Sequence, residues 1–166
     1  MTTTDDYATY IASLPRVLAG AAALYRDAEG RVLLVEPNYR EGWALPGGTI
    51  ESDRGESPRT AARRESAEEI GIDVPLGRLL AVDWTVGPDR PPLVAYLYDG
   101  GVLDEARLAS IRLQEEELVS WRLVDPAVLT AYLPGSLGPR VQEAYRVLQS
   151  GEGTVELENG RRPVTP

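Results

Sequence analysis

The stretch that decides the fold of this chain is Gly47–Ile72, with the sequence GGTIESDRGESPRTAARRESAEEIGI. A helix is predicted over Ser57–Ile70. Its first turn contains Pro58, which is favoured early in a helix, and Gly71 follows the last apolar position, where a helix commonly ends. The turn-forming Gly47-Gly48 pair lies before the helix, so this segment should join a short turn to one well-bounded helix.

Three acids of this helix, Glu65, Glu68 and Glu69, stand at i, i+3 and i+4 and therefore project from one face. The like-charged pair Glu65 and Glu69 costs about 0.2–0.5 kcal/mol on a bare helix. A divalent cation would replace that repulsion by shared coordination. A solvent-exposed helix laced with Arg–Glu pairs, such as Arg64 with Glu68, is the alternative interpretation of the spacing alone.

The composition excludes several kinds of chemistry. The 166-residue chain has no Cys and no His, and all 17 of its basic residues are Arg, against 26 acids and a net charge of -9. Thiolate and imidazole sites, a Ser-His-Asp triad and lysine Schiff bases are excluded. Carboxylates, hydroxyls and Arg remain, and oxygen ligands select Mg²⁺, Mn²⁺ or Ca²⁺. The acidic balance also argues against general nucleic-acid binding.

The pattern along the chain predicts one α+β domain over residues 1–166. A short helix is expected over 4–14, a strand hairpin over 16–36, and later strands over 76–86, 92–98 and 118–124. Helices are expected over 127–133 and 138–149, and a terminal hairpin over 154–164. No apolar stretch approaches the ~20 residues of a membrane span, and no signal peptide is visible, so a cytoplasmic location is expected.

The order Gly48, Glu56, Arg64-Glu65, Glu68-Glu69, Gly71 resembles the Nudix hydrolase signature, G-x5-E-x7-R-E-U-x-E-E-x-G-U. The sequence departs from it twice. Seven residues separate Gly48 from Glu56 where the family usually has five, and the extra residues are expected in Ser52-Asp53-Arg54. Ser66 also stands where the family usually has an aliphatic residue.

The resemblance covers roughly residues 16–133, with a C-terminal helix and hairpin over 134–166. It implies an α/β/α sandwich around a mixed sheet and the hydrolysis of a nucleoside diphosphate linked to another moiety. Pro88, sixteen residues beyond Ile72, gives a slight lean towards ADP-ribose or nucleotide sugars. A Nudix-fold nucleotide sensor that does not cleave its ligand and a purely structural protein are the alternatives. A homodimer is the default assembly for such a domain.

The resemblance also assigns residues to the metal site. Glu65, Glu68 and Glu69 are expected to bind Mg²⁺ or Mn²⁺, with the Gly48 carbonyl as a further ligand. Arg64 is expected to orient these carboxylates rather than touch substrate. Glu56 should secure the preceding loop through Arg64 or a metal-bound water, and the alternative for Glu56 is a charge favoured at a helix start.

Without His, the general base must be a carboxylate or a metal-bound hydroxide. Glu68 is one candidate, and an acid of Glu115-Glu116-Glu117 is the other, with Glu116 favoured over its neighbours. A solvated acidic turn is the alternative for that segment.

Substrate contacts are expected from the loop before Gly47 and from the inserted residues. Tyr39 and Arg40 could stack on a base or hold a phosphate. Arg54 could reach a phosphate, although an exposed loop arginine is the simpler interpretation.

Overall fold

The computed structural model describes residues 3–164. The seven strands are, in chain order, β1 (Leu18–Arg26), β2 (Val32–Pro37), β3 (Gly47–Thr49), β4 (Leu79–Thr85), β5 (Leu93–Val102), β6 (Leu118–Val124) and β7 (Val155–Glu158). The five α-helices are α1 (Thr3–Ser13), α2 (Pro58–Ile70), α3 (Glu105–Ala109), α4 (Leu129–Tyr132) and α5 (Leu137–Ser150). Single 3₁₀ turns cover Ser52–Arg54 and Pro126–Val128. None of the helices in this described part combines the length and the apolar composition that crossing a membrane requires.

All seven strands belong to one mixed sheet in the order β6-β2-β1-β5-β4-β7, with β3 paired to β1. β1 runs parallel to β5, and β4 runs parallel to β7, whereas the other neighbours are antiparallel. In the predicted first hairpin, β1 and β2 pair only at Arg26 and Val32. Further back along β1, the short strand β3 takes the place beside it.

The two faces of the sheet are covered by different helices. α2 packs on one face, where its Ala61 and Ala62 are fully buried against Ala21 of β1. α5 packs on the other, where Val141 and Val147 join the core beneath β1, β4 and β5. The small α2 residues permit a close approach to the sheet. The predictions of an α+β class and of a mixed sheet sandwiched between helices are confirmed.

The C-terminal end differs from its prediction. β7 adds to the edge of the sheet beside β4, and the expected hairpin is reduced to a single bridge between Glu158 and Arg161. Pro163 has no N–H group to donate to a ladder, so a second strand there would be interrupted. The side chains of Val155 and Leu157 instead gain burial against the core. The short helix α3 was not predicted.

Candidate active site

Local sequence fixes the ends of α2. The Ser57 hydroxyl accepts a hydrogen bond from the backbone N–H of Thr60, and Pro58 occupies the first turn. Gly71 closes the helix with φ +72°, a conformation that glycine adopts at little cost. The alanine side of α2 is buried against β1, and its acidic side lies along β3.

Arg64 is the centre of the acidic cluster. Its Nε and Nη2 donate to the two oxygens of Glu56 at 2.8 and 3.1 Å. Nη1 donates to Glu65 and to Glu68, at 2.9 Å in each case, and Nη2 also donates to the Thr49 carbonyl at 3.1 Å. A guanidinium has five N–H donors, and all five are used here. Arg64 is therefore held entirely by the protein, and these bonds, led by that to Glu56, raise its pKa.

Glu56 joins this cluster to the lengthened loop. Its Oε2 accepts from the Glu51 backbone N–H at 2.8 Å, and the hydrogen bond from Arg64 is the main reason that the pKa of Glu56 is lowered. Between these two glutamates, Ser52–Arg54 form one exposed 3₁₀ turn that ends at Gly55. The loop ends are thus clamped together while the turn projects into solvent, so the acidic cluster forms despite the longer loop.

Ser66, the second departure from the signature, is fully buried. Its hydroxyl donates to the Ala62 carbonyl at 2.8 Å, within the same helix. The polar group is therefore satisfied without moving α2 away from the sheet.

Glu69 and Glu65 are the desolvated acids of the site. Burial raises the pKa of the Glu69 carboxyl to about 8, partly opposed by a 2.8 Å hydrogen bond from the Gly47 N–H. Burial also raises the pKa of Glu65. A Cβ added to Gly48 would lie 2.5 Å from the Glu65 carboxyl carbon, so glycine is needed for this close approach of backbone and carboxylate.

The residues fit a divalent cation by chemistry and charge. Within residues 3–164, no three acidic side chains already converge as a metal site. Arg64 holds Glu65 and Glu68, and the Gly47 N–H holds Glu69. Nevertheless Glu56, Glu65, Glu68 and Glu69 set four carboxylates against a single guanidinium. Oxygen donors in negative excess, two of them desolvated, suit a hard cation such as Mg²⁺ or Mn²⁺.

A cavity of about 340 Å³ adjoins the cluster. Gly47 and Gly48 line it on the side of the acids, and its floor is the run of small residues 19–22 in β1. Leu93 and Leu97 of β5 add an apolar wall, and the first turns of α5 close it. No acid lines this cavity, although the chain carries 26.

The sequence-predicted substrate residues are dispersed around this cavity. Arg40 lines it, whereas Tyr39 is 67% exposed and lies outside the lining. The Arg54 side chain projects from the 3₁₀ turn and pairs with Glu51 at 2.9 Å. Pro88 also lies outside the cavity lining.

The acidic loop before β6 approaches the site through one residue. The charge of Glu117 is among the influences that raise the pKa values of both Glu65 and Glu69. The Glu116 carbonyl accepts from the Asn38 side chain at 2.7 Å. Glu117 is therefore close enough for its charge to act on the cluster, and the side chains of all three consecutive acids are exposed. The sequence spacing could not distinguish neighbours in a loop.

Arg140 lines the cavity and was missed by the sequence analysis. Its Nε donates to the fully buried Asp83 at 2.7 Å, and its Nη2 donates to Thr85 at 2.8 Å. Asp83 also accepts from the Gly160 N–H at 3.0 Å. The hydrogen-bonded pairs are 55, 57 and 77 residues apart in the chain, so no local pattern could have indicated them.

Comparison with known proteins identifies the family. The NUDIX domain model matches residues 16–148. The RNA pyrophosphohydrolase of Dinoroseobacter shibae is 32% identical over 149 residues, covering 80% of this chain and 89% of the relative. Diphosphoinositol polyphosphate phosphohydrolase 2 of Rattus norvegicus is 44% identical over 57 residues, which is 34% of this chain and only 31% of that protein.

The fold is also similar to that of a solved NUDIX domain. The NUDIX domain of Shewanella oneidensis NrtR, solved in complex with ADP-ribose, superposes with a TM-score of 0.70 at 20% identity, covering 89% of this chain and 99% of that one. The predicted Nudix-like fold and pyrophosphohydrolase class are thus confirmed. The chain belongs to the NUDIX domain family.

Proposed function

We propose that this protein hydrolyses the diphosphate bond of a nucleoside diphosphate linked to another moiety, with Mg²⁺ or Mn²⁺ as the cofactor. The observation that carries the proposal is the surplus of carboxylates around the saturated Arg64, directly beside a cavity that contains no acid. A cation-binding edge thus adjoins a compartment suited to the organic part of such a substrate.

Each residue has a distinct part in this proposal. Glu65, Glu68 and Glu69 hold the cation, with the Gly48 carbonyl beside them. When bound, a divalent cation neutralises the diphosphate and lowers the pKa of an attacking water. Arg64 keeps the carboxylates in place, and Glu56 fixes Arg64 to the loop.

The proton of the attacking water needs an acceptor, and in a chain without His we assign that part to a carboxylate rather than to a metal-bound hydroxide. Glu68 is the proposed base: its side chain is 50% exposed, and its contact with Arg64 leaves one oxygen free. Glu116 is kept as a loop acid that could assist, and Glu117 is added to it because its charge acts on Glu65 and Glu69.

The substrate is expected to be a small molecule held in the cavity, with Arg40 at the lining as a phosphate ligand. Tyr39 and Arg54 are not included, because neither lines the cavity. We place the reaction in the cytoplasm, where nucleotide diphosphate compounds are made and used, and retain a homodimer as the expected assembly.

The test asks whether the purified protein hydrolyses three kinds of compound: ADP-ribose, the nucleotide sugars GDP-glucose and ADP-glucose, and a 5′-triphosphorylated RNA oligonucleotide. The RNA is included because a full-length relative is named as an RNA pyrophosphohydrolase. Products are separated after incubation with Mg²⁺, Mn²⁺ or excess EDTA. We expect cation-dependent release of nucleoside monophosphate from at least one nucleotide sugar or ADP-ribose.

Nucleotide binding without turnover in either cation would contradict the proposal and favour a sensor. Turnover of the RNA alone would move the substrate class from small nucleotides to RNA 5′ ends. Turnover that persists in EDTA would exclude the carboxylate cluster as a cation site.

A further inference from the structure

Arg140 is held rigidly at the side of the cavity. Its side chain is 11% exposed, and its partner Asp83 is fully buried. Asp83 is satisfied on its other oxygen by the Gly160 N–H. Gly160 has φ +79°, and an added Cβ would lie 2.4 Å from the Ser136 carbonyl, so only glycine allows the turn after β7 to reach Asp83. Gly160 lies beyond the region matched by the NUDIX domain model.

One edge of the Arg140 guanidinium remains free. Nε and one N–H of Nη2 are used by Asp83 and Thr85, and Nη1 donates to no residue within 3–164. Nη1 is also accessible to solvent. Among the described residues, only the Tyr25 hydroxyl is a side-chain polar atom that is both buried and unpaired, so the unpaired Nη1 is not buried. Arg140 thus offers the parallel N–H groups of Nη1 and Nη2, the geometry that binds two adjacent acceptors.

The surroundings indicate what kind of acceptor fits. The positive charge of Arg140 is balanced by buried Asp83, so a neutral pair of acceptors is better matched than a second phosphate. The cavity beside it has an Ala-Gly floor and leucine walls, which suit a planar ring. The acidic cluster lies beside β3, and Arg140 is bonded to Asp83 of β4. These two strands are three strand spacings apart, about 14 Å, which leaves room for a nucleoside between the cluster and Arg140.

We propose that the free edge of Arg140 recognises the base of the substrate and selects a 6-oxopurine, guanine or hypoxanthine, over adenine. A 6-oxopurine presents O6 and N7 as two adjacent acceptors, whereas adenine presents the acceptor N7 and the donor N6 amino group. Arg has no acceptor, so with adenine the N6 amino group and an arginine N–H, both donors, would face each other. This inference rests on the proposed function, since it fills the same cavity with the nucleoside of that substrate.

The experiment measures the binding of GMP, IMP and AMP by calorimetry, because none of these has a diphosphate bond to cleave. We expect GMP and IMP to bind about 5- to 150-fold more tightly than AMP. Arg140→Lys keeps the charge beside Asp83 but lacks the planar fork, so the preference should fall towards one. Arg146→Lys, at an exposed position of the same helix paired with Glu143, is the matched control and should keep the preference.

Equal or tighter binding of AMP would overturn the inference, and so would a purine preference that survives Arg140→Lys. An equal loss of affinity for all three nucleotides would place Arg140 on the phosphate and would also overturn it. Melting temperatures show whether the variants are folded. The ratio of GMP to AMP affinity in the wild-type protein tests the inference even if a variant fails to fold.

The failure of the two proposals can be distinguished with GDP-glucose and ADP-glucose. Cleavage of both at the same kcat/KM overturns the base selection and leaves the hydrolase proposal standing. A GMP preference that depends on Arg140, in a protein that cleaves neither of these compounds nor ADP-ribose, supports the base selection and contradicts the hydrolase proposal.

Discussion

Two arginines of this molecule are both largely buried and paired with acids, but they differ in how many of their N–H groups remain free. Arg64, on α2, donates all five of its N–H groups to the protein, whereas Arg140, on α5, donates two. A saturated guanidinium can only position its neighbours. One with a free edge remains available to a ligand, so the number of unused donors distinguishes the two functions better than burial does.

The charges around the two arginines differ in the same way. Arg64 faces the carboxylates of Glu56, Glu65 and Glu68, and Glu69 lies beyond them, so negative charge is in excess. Arg140 faces Asp83 alone and the pair is neutral. The first cluster therefore attracts a cation, whereas the second offers directional hydrogen bonds without net charge.

The largest effect is expected from Glu69→Gln in the Arg64 cluster. The amide can still accept the Gly47 hydrogen bond but no longer contributes a negative charge to a cation, so turnover should fall by more than about 100-fold. Folding should persist, because the amide keeps an acceptor for the Gly47 N–H and brings no charge into the buried site. Product release and the Mg²⁺-dependent rise in melting temperature are the measurements, and both should be lost.

Glu105→Gln, at an exposed position of α3, is the control and should match the wild type in both measurements. Undiminished turnover in Glu69→Gln would remove this carboxylate from the cation site.

The same substitution at both arginines tests the contrast directly. Arg64→Lys leaves several of the five acceptor contacts unmade, so kcat should fall about 10- to 100-fold on every substrate. Arg140→Lys should mainly raise KM for GDP-glucose, since it removes binding that ground state and transition state share. If both variants lowered kcat alone, the distinction between a positioning and a binding arginine would be wrong.

Gly160→Ala should disturb only the Arg140 region. A side chain at φ +79° beside the Ser136 carbonyl costs about 1–3 kcal/mol in free energy of unfolding, measured by denaturant titration. The GMP preference over AMP should shrink, since Asp83 loses its second donor. Gly153→Ala, where an added Cβ meets nothing within 4 Å, is the control from the same segment, and equal losses in the two variants would contradict this account.

The smallest effect is expected from Arg54→Gln. This arginine is 75% exposed and makes one ion pair, with Glu51, so its loss should change turnover less than about twofold and stability by less than about 1 kcal/mol. A tenfold rise in KM would instead place Arg54 on the substrate.

The sequence predicted elements whose signals are local. The bounds of α2 follow from Pro58 and Gly71, and strands β4, β5 and β6 were placed to within a few residues. The terminal hairpin was wrong because β7 found a better partner in β4 than in the chain that follows it. Which strand β7 pairs with depends on which strand edge of the sheet is left free, and a local sequence pattern does not contain that information.

By itself, the sequence determined the family, the helix that carries the carboxylates and the restriction to carboxylate chemistry. These follow from fixed spacings on one helix and from the absence of Cys, His and Lys. Only the tertiary structure decided that Arg64 is saturated, that the charge of Glu117 acts on Glu69, and that Asp83, Arg140 and Gly160 form one support. The reason is that hydrogen bonds between residues far apart in the chain depend on how the strands and α5 pack.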